Sequence, residues 1–138
     1  MDQQVLEQKL ESLRCCVQRV ETKIPKEVTT LATDIDLQDI VSLNLSRAVQ
    51  ICVDIGAHLI AGMDVAAPDT MGQTFDLLAQ QGVLSSSLAT RLKKAVGFRN
   101  IAVHNYERIN WEIVYSIATL HLNDFSDFAR AVLSAQEA

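Results

Sequence analysis

The sequence predicts an all-α fold, an up-and-down bundle of four to five helices making one domain over residues 1–138, and two observations carry that expectation. Apolar residues recur at three- and four-residue intervals through most of the chain, the spacing that gives a helix one buried stripe. Only two prolines and five glycines interrupt stretches rich in Leu, Ala, Gln, Glu and Lys, a composition that favours helix over strand. With 138 residues, 49% of them hydrophobic, the chain has enough apolar surface for one continuous core. No internal repeat or low-complexity linker divides it.

Leu6, Leu10, Leu13, Val17 and Val20 predict a first helix over about residues 3–23, ended by Pro25. Thr29, Thr30, Thr33 and Asp34 are candidate caps for the next element. From Asp36 to about Gly62 the stripe of Leu37, Val41, Leu45, Ala48, Ile51, Cys52, Ile55 and Leu59 predicts the longest helix, the centre of the bundle. Thr70 and Gln73 have capping-box spacing, so a short helix carrying Phe75, Leu78 and Ala79 should start there. Gly82 suits the left-handed residue that closes such a helix. Ser85 to Ser87 cap a further helix with Leu88, Leu92, Ala95 and Val96, which has a candidate bend at Gly97 and continues into the Arg99 region. One last helix is expected from about Trp111 through Val114, Ala118, Leu122, Phe125, Phe128 and Val132, with the final residues, SAQEA, frayed.

No run of about 18 uninterrupted apolar residues is present, and the acid- and amide-rich start lacks the character of a signal peptide. A membrane partner is not expected. Three cysteines, Cys15, Cys16 and Cys52, are an odd number without Cys-x-x-Cys spacing, which fits a reducing cytoplasm. The formal charge of −5 argues against a protein that coats nucleic acid through a generally basic surface. The charge is unevenly spread, however. Arg91, Lys93, Lys94, Arg99 and Arg108 with the single acid Glu107 make a local +4, leaving the rest of the chain at −9, so a basic site on an acidic body is expected.

Within that segment, residues 97–110 read GFRNIAVHNYERIN. Arg99, Asn100, His104 and Tyr106 place a permanent guanidinium, an amide, an imidazole and a phenol within eight positions. An imidazole exchanges protons near neutral pH and a guanidinium grips two phosphate oxygens at once. These are the groups needed for attack of a ribose 2′-OH on the adjacent phosphorus, with His104 in proton transfer and Arg99 stabilising the phosphorane-like charge. Asn100 would orient His104 or the phosphate, and no cofactor or metal is required. Residues five apart on an ideal helix are rotated by about 140° and displaced by about 7.5 Å, so one straight helix does not bring the pair together. Either the helix bends or ends between them, or two copies face each other across a cleft, the arrangement favoured here.

The run RLKKAVGFRNIAVHNY closely resembles the signature of the HepT-like toxins of the HEPN superfamily: Arg, a polar residue, three more residues, His, any residue, Tyr. Arg99, Asn100, His104 and Tyr106 fill it. The stretches NLSRAVQICVDIGAHLIAG and TFDLLAQQGVLSSSLATRLKK resemble the flanking helices of that family, so the likeness covers most of the chain. The resemblance implies a homodimeric HEPN-like bundle with its motif near the dimer cleft. It also implies metal-independent endoribonuclease activity, with tRNA among the candidate RNA substrates, in a type VII toxin–antitoxin pair. The implied partner is an MntA-like nucleotidyltransferase antitoxin that transfers AMP to the motif tyrosine, here Tyr106.

Simpler readings stand beside these. A cation and a histidine near a helix C-terminus are favoured by the helix dipole alone, and Tyr106 in isolation reads as a half-buried packing residue. Lys93 and Lys94 suit a solvated helix face, and with Arg91 and Arg108 they are also candidate RNA contacts. Asp54 and His58, four apart, read as a helix-stabilising pair, and His121 as a core or edge histidine. Trp111, Phe125 and Phe128 have core spacing, not that of a base-stacking platform. The alternative function is a non-catalytic helical dimer that holds a nucleotidyltransferase partner or a nucleotide.

Overall fold

The computed structural model describes residues 2–137, and among them there is no β-strand. Seven helices follow one another: α1 (Gln3–Lys23), α2 (Val28–Thr33), α3 (Ile35–Ala61), α4 (Met71–Gln80), α5 (Ser86–His104), α6 (Trp111–Leu120) and α7 (Asn123–Glu137). A 3₁₀ turn, Tyr106–Arg108, links α5 to α6. The all-α bundle expected from periodicity is therefore the fold.

Local chemistry accounts for the helix ends. The carboxylate of Asp2 accepts from the Gln4 N–H to open α1, and Asp34 does the same for α3 through Leu37. Each satisfies an N–H that lacks an intrahelical partner. Thr70 caps α4 through the Gln73 N–H, but Gln73 reaches back to the Asp69 N–H, at 2.7 Å, one residue earlier than the expected box. Gly82, at φ 79°, closes the turn after α4, with the Val83 N–H donating to the Leu78 carbonyl at 2.8 Å. Ser85 caps α5 and Asn110 caps α6.

Three expectations about boundaries are corrected. Residues 28–33 form the short helix α2 and are more than a string of caps; six residues with one buried anchor, Leu31, are too few for a periodic stripe to declare itself. The expected last helix is two, broken at His121 and Leu122. Their apolar residues keep helical spacing across the break, so periodicity alone does not reveal it. The tail is helical to Glu137, because Leu133 still packs on the core and Ala, Gln and Glu are good helix formers; Ala138 lies outside the described residues. Helix α5 runs unbroken through Gly97 to His104.

α3 is the centre of the bundle. It buries Val41, Leu45, Ala48, Val49, Cys52, Ile55 and Ile60, and it packs against α1, α4 and α5. Its length and mean hydropathy of 1.3 over one 18-residue window would allow it to cross a membrane, yet 56% of that window is buried inside the bundle. The apolarity belongs to the core. Phe75 of α4 and Phe128 of α7 meet edge to face at 6.1 Å, closing the far side. Cys16 and Cys52 are buried, Cys15 is exposed, and all three are free thiols.

The α3–α4 contact depends on Gly56. A Cβ there would lie 2.6 Å from Thr74 Cγ2 and 3.0 Å from Leu78 Cδ1, and Thr74 and Leu78 are themselves buried. Gly56→Val should therefore destabilise the fold by about 1–3 kcal/mol through overpacking. Denaturant unfolding monitored by helical circular dichroism measures this; an unchanged midpoint would show that α4 separates from α3 at no cost.

Candidate active site

The four motif residues occupy the end of α5 and the turn after it. Arg99 is half-buried one and a half turns before the helix end, and His104 is the last helical residue and exposed. The helix is continuous between them, so the expected bend does not occur and the two side chains leave α5 about 140° apart. Asn105 ends the helix, its N–H bonded to the Ile101 carbonyl at 2.8 Å. Arg99 Nη1 donates to Asn100 Oδ1 at 3.3 Å, which directs Asn100 to the guanidinium and not to the imidazole. Among the described residues no hydrogen bond joins Arg99, His104 and Tyr106 to one another.

Tyr106 turns toward α3. Its hydroxyl donates to Asp39 Oδ1 at 2.7 Å, and its ring meets Trp111 edge to face at 5.9 Å. The residue nevertheless remains 38% exposed. Partial burial raises the phenol pKa, and the Asp39 carboxylate adds to that rise by holding the proton, while the Ser42 hydroxyl opposes it. Asp39 and Ser42 are thus site residues that the motif does not reveal. They lie 67 and 64 positions from Tyr106, and nothing local to the motif points to them.

The expected basic patch is divided. Arg91 Nε pairs with the buried Asp124 at 2.9 Å, and His121 Nδ1 lies 3.9 Å from the other oxygen of the same carboxylate. Lys93 Nζ pairs with Asp76 of α4 at 2.9 Å, and its stem lies over Gly72. Lys94 shares with Arg91 a 330 Å³ cavity between α5, α6 and α7, on a different side of α5 from Lys93. Arg99, Lys94 and Arg108 have no ion pair among the described residues. His121 is an edge histidine, as expected. The expected Asp54–His58 pair is replaced: Asp54 accepts from Gln50 Nε2 at 2.9 Å, and no ion pair with the exposed His58 is found among the described residues. No three His, Cys, Asp or Glu side chains among the described residues gather closely enough to hold a metal ion.

The ribonuclease HepT-like family matches residues 13–132, and the chain belongs to that family of ribonucleases. It is 36% identical over 120 residues to the mRNA nuclease HepT of Shewanella oneidensis, covering 87% of this chain and 90% of that one. A putative RNase of Archaeoglobus fulgidus is 31% identical over 110 residues, 80% of this chain and 79% of that one. Among solved structures, the tri-AMPylated Shewanella oneidensis HEPN toxin in complex with MNT antitoxin superposes with a TM-score of 0.88 at 33% identity, covering 97% of this chain and 99% of that one.

Proposed function

We propose that the chain is a metal-independent endoribonuclease toxin, and that Arg99 and His104 do its chemistry. The 2′-oxygen of a ribose attacks the adjacent phosphorus, the 2′-O–P bond forms and the P–O5′ bond breaks. His104 exchanges the proton, Arg99 neutralises the charge that builds on the non-bridging oxygens, and Asn100 fixes the guanidinium. Lys94 and Arg108 offer further contacts to the phosphate backbone, with Arg91 and Lys93 contributing only where their ion pairs yield.

The observation that carries this reading is the pairing, on one uninterrupted helix, of a half-buried guanidinium with an exposed imidazole at the C-terminus. Their divergence within one chain supports a homodimer in which two α5 ends line a shared cleft. Ile101 and Val103, 43% and 53% exposed beside His104, supply apolar surface for a second copy to cover. Control by an MntA-like nucleotidyltransferase antitoxin, through AMP transfer to Tyr106, is supported by the likeness to the AMPylated toxin and by the partial exposure of Tyr106.

Purified protein should cut single-stranded RNA in excess EDTA and leave 2′,3′-cyclic phosphate ends. Products carrying 3′-hydroxyl ends would overturn the 2′-OH mechanism. Light scattering at micromolar concentration should report a dimer; a monomer that is fully active would remove the shared cleft.

A further inference from the structure

A neutral phenol is a weak nucleophile, and the surroundings of Tyr106 hold its proton more firmly than water does. Burial and the Asp39 carboxylate both raise its pKa, so almost none of it is phenolate near neutral pH. Modification of this oxygen therefore needs a group that accepts the proton as the oxygen attacks. Such a group is already in contact with it: Asp39 Oδ1 accepts the phenol hydrogen bond at 2.7 Å.

Three features suit this contact to chemistry as well as packing. The carboxylate sits on the long helix α3, two residues before its first buried position, Val41, whereas the phenol sits on a three-residue 3₁₀ turn. Ser42, one helical turn beyond Asp39, is buried; its hydroxyl donates to the Asp39 carbonyl at 3.4 Å, and its presence beside the phenol lowers that group's pKa, easing loss of the proton. Tyr106 as a residue stays 38% exposed, which leaves an approach for an enzyme carrying an activated nucleotide. Among the described residues Asp39 is the only charged group acting on the phenol; Trp111 contributes an aromatic edge.

We propose that Asp39 is the general base for nucleotidylation of Tyr106. The proposal rests on the reading of Tyr106 as the acceptor of AMP. In the step, Tyr106 Oη attacks the α-phosphorus of a nucleoside triphosphate held by the transferase. The Oη–P bond forms, the bond from the α-phosphorus to the bridging oxygen breaks, and pyrophosphate leaves. The phenol proton passes to Asp39 Oδ1 and then to solvent. The toxin thus supplies part of the machinery for its own modification.

The test tracks intact mass over time as the full chain is incubated with an MntA-like nucleotidyltransferase and ATP. Asp39→Asn keeps a hydrogen-bond acceptor of the same shape but loses the base. It should slow the first AMP addition at least about tenfold, with the deficit shrinking as rising pH lets solvent deprotonate the phenol, and Asp39→Glu should recover most of the rate. A carboxylate that only held the turn in place would leave Asp39→Asn at the wild-type rate, and that result overturns the proposal. The NMR titration of the Tyr106 phenol gives a second readout: it should move to lower pH in Asp39→Asn, and an unmoved titration removes the contact on which the step depends. Wild type that gains no AMP would overturn the reading of Tyr106 as acceptor; wild type and Asp39→Asn modified equally fast would overturn the role of Asp39 alone.

Discussion

His104→Ala should lower RNA cleavage by roughly 10²–10⁴-fold, the range over which a positioned general acid–base group contributes, and should do so without loss of helical structure. The imidazole is exposed at the last position of α5, so its removal leaves no cavity. Arg99→Ala should cost a comparable amount, about 10²–10³-fold, through lost stabilisation of the phosphorane. Arg99→Lys should restore little, because an ammonium does not reproduce the two-pronged grip of a guanidinium. Cleavage is measured on end-labelled RNA in EDTA beside circular dichroism of each variant. A folded His104→Ala protein that cuts at the wild-type rate would take the imidazole out of the mechanism.

Attachment of AMP to Tyr106 should silence cleavage altogether. The hydroxyl now bonded to Asp39 would carry a phosphodiester instead, breaking the 2.7 Å contact and placing a negative charge two residues from His104. That phosphate would compete with RNA for Arg99, Lys94 and Arg108 and repel the substrate backbone. Tyr106→Phe loses one hydroxyl with its single bond to Asp39 and keeps the ring against Trp111, so it should fold, retain cleavage and escape silencing. Cleavage assays on mass-verified adduct test this directly. Full activity of the modified wild type, or an adduct that still forms on Tyr106→Phe, would refute control through this oxygen.

Much of the bundle was legible from residue spacing and caps. Asp34, Ser85 and Gly82 mark helix ends through chemistry confined to a few neighbouring residues, and the structure uses each of them in that way. The misreadings came where the local signal was short or ambiguous. The six residues of α2 give no stripe, and the α6–α7 break falls where Ala118, Leu122 and Phe125 keep their spacing. The Asp54–His58 spacing is equally compatible with the Gln50–Asp54 bond that forms.

Spacing also reveals the phase of each stripe around its own helix axis, and with it the residue types gathered at the end of α5. Arg99, Asn100, His104 and Tyr106 lie within eight positions, so their proximity is a matter of chain connectivity. Which helix lies beside which is settled by packing among faces that are chemically alike, and spacing carries no record of that choice. Packing brought Asp39 to Tyr106 across 67 residues and Asp124 to Arg91 across 33, and set Lys93 against Asp76. Those contacts divide the basic segment into paired and free cations and place a carboxylate on the phenol, because ion pairs and hydrogen bonds form between neighbours in space whatever their separation along the chain.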